Sequence, residues 1–179
     1  MTAPPSEAPP PEFSRPFPLA RLDKTEEEIR ITATPPECAA LARRFGLPEI
    51  AELCGAFRLR RRGVDRVVAE GWITARFTQI CVVTLDPFST LLDEPFILHF
   101  VPEGEDNLDP DPERPDEMGF SGEVIDLGEA LAQQLAVSLD PFPRHPRLGP
   151  RGSADLQIGE SETARRPFAD LAARLKQGH

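Results

Sequence analysis

The sequence predicts an α+β fold: an antiparallel sheet, open or closed into a small partial barrel, with a few packed helices. Three observations predict it. Apolar residues recur at every second position through most of Leu53 to Ile80, and at every third or fourth position in two stretches, 38–45 and 127–139. Between and beyond these stretches the chain is rich in proline, glycine and acids, the composition of turns and loops. With 179 residues there is room for one domain, expected over 13–179, and flanking tails.

Residues 1–12 are mostly Pro, Ala, Ser and Glu. They bury too little apolar surface to offset chain entropy, so they read as a disordered tail. Structure is expected from Phe13, where FSRPFPLARL places Phe17 and Leu19 on one side of an extended segment. A short strand follows at Glu28 to Ala33, with Ile29 and Ile31 facing together. Thr34 then caps a helix opened by Pro35 and Pro36, whose missing N–H groups cost nothing in a first turn. Cys38, Leu41, Ala42 and Phe45 form its apolar stripe and Gly46 ends it.

The period then becomes two. Phe57 and Leu59 alternate with Arg58 and Arg60, RRGVD turns the chain at Gly63, and Val67, Ala69, Ile73, Ala75 and Phe77 share one side of the return strand. This is an antiparallel hairpin with one wet face. Near Gln79 the apolar parity shifts to Ile80 and Val82, which predicts a bulge or a buried segment. A further strand is expected at Pro95 to Val101. The proline-rich acidic stretch 102–122 is aperiodic and reads as a solvated loop. It lacks the alternating ligand positions, central glycine and terminal glutamate of a calcium loop.

The clearest helix is expected after Asp126, which caps it, with Glu129 three residues on. Leu127, Leu131, Leu135 and Leu139 fall at four-residue steps before Asp140-Pro141 stops the helix. Residues 144–164 read as a flexible linker. Over 165–177, Phe168, Leu171, Ala172 and Leu175 make one more stripe, on a helix too short to stand alone.

Charge narrows the function classes. The formal net charge is −10 and the pI near 4.8, so the surface as a whole repels nucleic acid. The average conceals an asymmetry: Arg43 to Arg76 is rich in arginine, whereas Asp86 to Glu129 holds one base, Arg114. Three widely spaced cysteines, Cys38, Cys54 and Cys81, do not resemble a disulfide framework. The N-terminus has neither the basic start nor the apolar stretch of a secretory signal. A cytoplasmic protein with no membrane association is the expectation.

No catalytic residue is assigned. A cysteine nucleophile needs a thiolate stabiliser, and His99, His145 and His179 have no sequence relation to Cys81. No serine elbow, phosphate loop or dinucleotide fingerprint occurs. Zinc needs about four ligands, usually in close pairs, and Thr84 stands where a knuckle would place the partner of Cys81. No metal and no cofactor are expected, and Cys81 reads as a small buried side chain in a strand. What survives is a candidate RNA-binding set: Arg58, Arg60, Arg61 and Arg62 on one hairpin strand, with Arg66, Trp72 and Arg76 on the other. Guanidinium groups neutralise phosphates while an aromatic ring stacks on an unpaired base. The plainer alternative is a solvated sheet face with Trp72 covering apolar surface.

CVVTLDPF at 81–88, EVIDLGEALAQQLAVSLDPFPRHP and RPFADLAARLK together resemble the YceD family, the large ribosomal RNA subunit accumulation proteins. The order of segments fits from about Phe13 to Lys176. Many relatives carry Cys-x-x-Cys before the Leu-Asp-Pro-Phe element, whereas this chain keeps Cys81 alone. The resemblance implies a non-enzymatic role in large-subunit ribosomal RNA accumulation and ribosome assembly, and brings no active-site residue. The partners expected are ribosomal RNA or a large-subunit assembly intermediate, and basic ribosomal proteins attracted by the acidic surplus. The alternative is a protein-interaction adaptor that never touches RNA.

Overall fold

The computed structural model describes residues 11–22, 26–63, 65–104 and 116–149. The chain divides into two units, 1–145 and 146–179. Of the second unit the described part is 146–149, with a single 3-10 turn at Pro146–Leu148. The disordered tail, the centre of the acidic loop and the C-terminal helix expected from sequence lie, wholly or in large part, outside the described residues.

The first unit is α+β, with strands β1 (Pro16–Pro18), β2 (Glu27–Thr32), β3 (Glu49–Arg62), β4 (Arg66–Ile80), β5 (Pro87–Pro102), β6 (Asp116–Phe120) and β7 (Val124–Asp126). Its helices are α1 (Pro35–Phe45) and α2 (Leu127–Ser138). Five strands form a sheet in the order β2-β3-β4-β5-β6, and β1 pairs antiparallel with β7 in a separate two-stranded sheet. Among the described residues the larger sheet has β2 and β6 as its edges and does not close into a barrel.

Register explains the period-two signal. Phe57 pairs with Gly71, Leu59 with Ala69 and Leu53 with Ala75, so from Leu53 onward the odd-numbered residues of β3 and β4 share the inner face. Val67, Ala69, Ile73 and Ala75 on that face are at most 1% exposed. Both helices cover it. Gly55 sets how closely α2 approaches the sheet, since a Cβ there would lie 2.7 Å from the side chain of Leu131, and Gly71 leaves room within the sheet for the ring of its cross-strand partner Phe96. Phe96 also meets Phe57 edge to face, with 5.3 Å between ring centroids.

The helices begin and end as their sequences predict. The Glu37 carboxylate accepts from the N–H (2.7 Å) and hydroxyl (2.9 Å) of Thr34, and Gly46 closes α1 in the left-handed region at φ 67°. Asp126 accepts from the N–H groups of Gly128 and Glu129, and also from Arg15 N–H at 2.7 Å. The N-terminal segment is thereby laced across the start of α2.

Four expectations are corrected. The bulge lies between Ile50 and Glu52 rather than near Gln79. The β4–β5 register is unbroken to Ile80, and Gln79 stays on the inner face, bonded to Thr90 and to the Asp140 carbonyl. The strand expected at Pro95 begins at Pro87. Proline is tolerated there because β6 pairs with Leu98 to Pro102, so that among the described residues no strand lies beside Pro95 on that edge. The stretch 102–122 is not all loop: β6 lies within it and runs parallel to β5. Lastly, Cys81 is buried, but in the turn after β4 and not inside a strand.

Candidate functional site

Beyond the bulge between Ile50 and Glu52, the even-numbered residues of β3 and β4 point away from the core. This outer face gathers Arg58, Arg60 and Arg62 from β3 with Arg66, Trp72 and Arg76 from β4. Arg30 of β2 joins them opposite Ala56. Arg61 does not belong. It has inner-face parity at the far end of the hairpin and lines a cavity of about 680 Å³ with Leu19, Asp65, Glu103 and Glu123. The sequence run Arg60-Arg61-Arg62 concealed that alternation.

Trp72 is the centre of the face. In register it lies between Ala56 and Pro95, whose short side chains leave the indole standing 46% exposed. Its Nε1–H donates to Asp93 Oδ1 at 2.7 Å, and the Thr74 hydroxyl donates to the same oxygen at 2.9 Å. These bonds, Trp72 first, hold the Asp93 carboxyl below its ordinary pKa. The ring is therefore fixed in orientation beside a shallow concavity of about 380 Å³, lined by Arg30, Ala56, Arg58 and Glu70 among others. Asp93 escaped the sequence reading because its role appears only when β4 and β5 are set in register.

The arginines do not form a bare cationic patch. Arg58 lies 3.0 Å from Glu28, and that hydrogen bond is the main cause raising its pKa. Arg60 lies 3.4 Å from Glu70 and 3.7 Å from Glu26; Arg76 lies 3.7 Å from Glu52; Arg66 lies 4.0 Å from Glu117. Outer-face cations and carboxylates are nearly balanced. Among the described residues of the hairpin, only Arg62 opposite Arg66 sets like charges directly across the ladder. Exposed pairs of this kind are worth about 0–1 kcal/mol and exchange readily with other ions.

Two further arginines, not singled out from sequence, have a different task. Arg15 grips Glu37 through both nitrogens at 2.8 and 2.9 Å, and Arg44 grips Glu129 at 2.7 and 2.9 Å. The Arg15 bond holds the Glu37 carboxyl down at about 2. These pairs tie the N-terminal segment to α1, and α1 to α2.

Cys81 is not an ordinary core thiol. Its Sγ accepts from the N–H of Thr84 at 3.4 Å and of His145 at 3.3 Å. Burial pushes its pKa up, but bonds from Thr84, His145 and Val83 outweigh this and bring it to about 7. Among the described residues no group of three or more His, Cys, Asp or Glu is placed to hold a metal ion. No helix among them is long and apolar enough to cross a membrane.

No curated protein and no solved structure matches the chain. A family model does, over residues 69–173, a span narrower than the segment order implied. It takes in Trp72, Arg76, the Cys81 turn and α2, and leaves Arg58 to Arg66 outside. On that match, which covers more than half of the sequence, the chain belongs to the YceD family, described as the large ribosomal RNA subunit accumulation proteins.

Proposed function

We propose that the protein is a non-enzymatic factor in large-subunit ribosomal RNA accumulation and ribosome assembly, working through the outer face of its five-stranded sheet. One observation carries this reading. Six of the seven candidate side chains, Arg58, Arg60, Arg62, Arg66, Trp72 and Arg76, share one face of a sheet whose opposite face is closed by the core. An unpaired base stacks on the oriented Trp72 ring while phosphates displace carboxylates from the exposed arginines. The balance of charge makes such contact selective: a phosphate must meet an arginine closely enough to outcompete Glu28 or Glu70, and diffuse attraction is absent.

Fluorescence anisotropy with single-stranded fragments of large-subunit ribosomal RNA tests this. Replacing Arg58, Arg60, Arg62 and Arg66 together with serine abolishes binding and leaves the fold intact. Arg61→Ser, on the other side of the sheet, leaves affinity nearly unchanged. Equal loss from both variants, or loss from neither, removes the outer face from consideration.

The pairing of these arginines with carboxylates favours a second reading, an adaptor that binds basic ribosomal proteins and not RNA. In that case the serine variant retains ribosomal-protein binding and the wild type shows no RNA affinity at all.

A further inference from the structure

At the end of the sheet the turn Cys81 to Asp86 meets the segment that follows α2. Val82 N–H donates to the Pro143 carbonyl at 2.9 Å, and His145 N–H reaches the Cys81 sulfur. Large apolar side chains gather there in water: Ile80 is 41% exposed, Val82 48%, Val83 57%, Phe142 64% and Leu85 74%. Clusters of this kind on a protein surface mark interaction sites more often than scattered single residues do.

The backbone presents this tip at a cost. Leu85 has φ 61°, the left-handed region, where no other non-glycine residue among those described is found. The turn that imposes it is tightly determined. Leu85 N–H donates to the Cys81 carbonyl and Cys81 N–H to the Asp86 carbonyl, each at 2.9 Å, while the buried thiol takes the Thr84 N–H. Strain that holds a leucine out in solvent gives no stability, so it points to a use.

Charge selects the occupant. Exposed Asp86 and Asp140 flank the apolar cluster on a chain of net charge −10. The turn itself offers a phosphate no cation, and Arg144, two residues beyond Phe142, is a half-buried base set against the two exposed carboxylates. A second copy of the chain would set one acidic rim against another. We propose that this tip docks a lysine- or arginine-rich protein segment bearing large apolar side chains, with Leu85, Val83 and Phe142 as its anchors. The surface is separate from the arginine face, and the proposal stands or falls independently of RNA binding there.

Isothermal titration of the full chain with two synthetic amphipathic helices, one of leucine and lysine and one of leucine and glutamate, tests it. The lysine peptide binds, the glutamate peptide does not, and Leu85→Gly weakens binding about tenfold, as loss of an interface anchor does. Glycine suits the left-handed backbone, so Leu85→Gly folds at least as stably as the wild type and its loss of binding is not a folding defect. Val83→Ser with Phe142→Ser gives a similar loss. Failure of the wild type to bind, equal affinity for both peptides, or full binding by Leu85→Gly overturns the proposal. So does a concentration-dependent dimer, seen by sedimentation, that Leu85→Gly abolishes, because a second copy is then the occupant.

Discussion

Two groups of arginines in this molecule make ion pairs, and the geometry of the pairs separates their tasks. Arg15 and Arg44 are one-third exposed and engage Glu37 and Glu129 through two nitrogens at 2.7 to 2.9 Å. Arg58, Arg60 and Arg76 are about half exposed or more, and their closest approaches to carboxylates run from 3.0 to 3.7 Å. Planar two-point pairing in a partly dry site fixes a guanidinium and builds architecture. A single long contact in water leaves it exchangeable, as a binding face requires. Counting arginines along the sequence cannot make this distinction.

The largest expected effect lies beneath the first group. Leu135 is fully buried in α2, and Leu135→Ala lowers stability by about 2 to 5 kcal/mol in urea denaturation. A smaller loss shows that α2 is not a main support of the inner face. Next comes Arg15→Ala, which removes charged hydrogen bonds to Glu37 and costs about 1.5 to 3 kcal/mol. Arg58→Ala on the outer face leaves stability nearly unchanged. If the two arginine variants cost the same, the division between structural and exchangeable pairs collapses.

Acid sharpens the comparison. The folded-state pKa of Glu37 lies near 2 against an ordinary 4.5. A depressed carboxylate pKa contributes stability that is fully present above the unfolded value and is lost as pH falls toward the folded one. Thermal midpoints of wild type and Glu37→Gln therefore differ most above about pH 4.5 and converge toward pH 2. Parallel curves across that window contradict the role given to the Arg15 pair. In RNA binding the salt dependence is the smallest expected signal: each phosphate contact made by the outer face adds a slope of about −0.7 for single strands.

Much of the fold was legible because one face of each element is buried. The stripe Cys38, Leu41, Ala42 gives α1, and the alternation through Phe57, Leu59, Ala69, Ile73 and Ala75 gives the hairpin and its wet side. Local signals failed where pairing partners decide. The first half of β5 carries Asp93, Glu94 and Pro95, which break any pattern, yet it pairs with β4 throughout. Strand β6 is five residues of mixed character, extended because β5 offers it an edge. At the site, Trp72 and the arginines were visible, whereas the carboxylates that face them, Glu28 and Glu70 among them, come from register and diagonal neighbours. Position in the chain shows a cysteine at 81, but only the closing of the turn shows three backbone and side-chain partners around its sulfur.

Crosslinking in cells, followed by sequencing of attached RNA and mapping of the modified peptide, reaches the central claim most directly. The outer-face account predicts large-subunit ribosomal RNA joined to the β4 peptide that contains Trp72, and loss of that adduct when Arg58, Arg60, Arg62 and Arg66 are serine. Ribosomal RNA attached only to peptides elsewhere in the chain, or crosslinks to proteins alone, would contradict it.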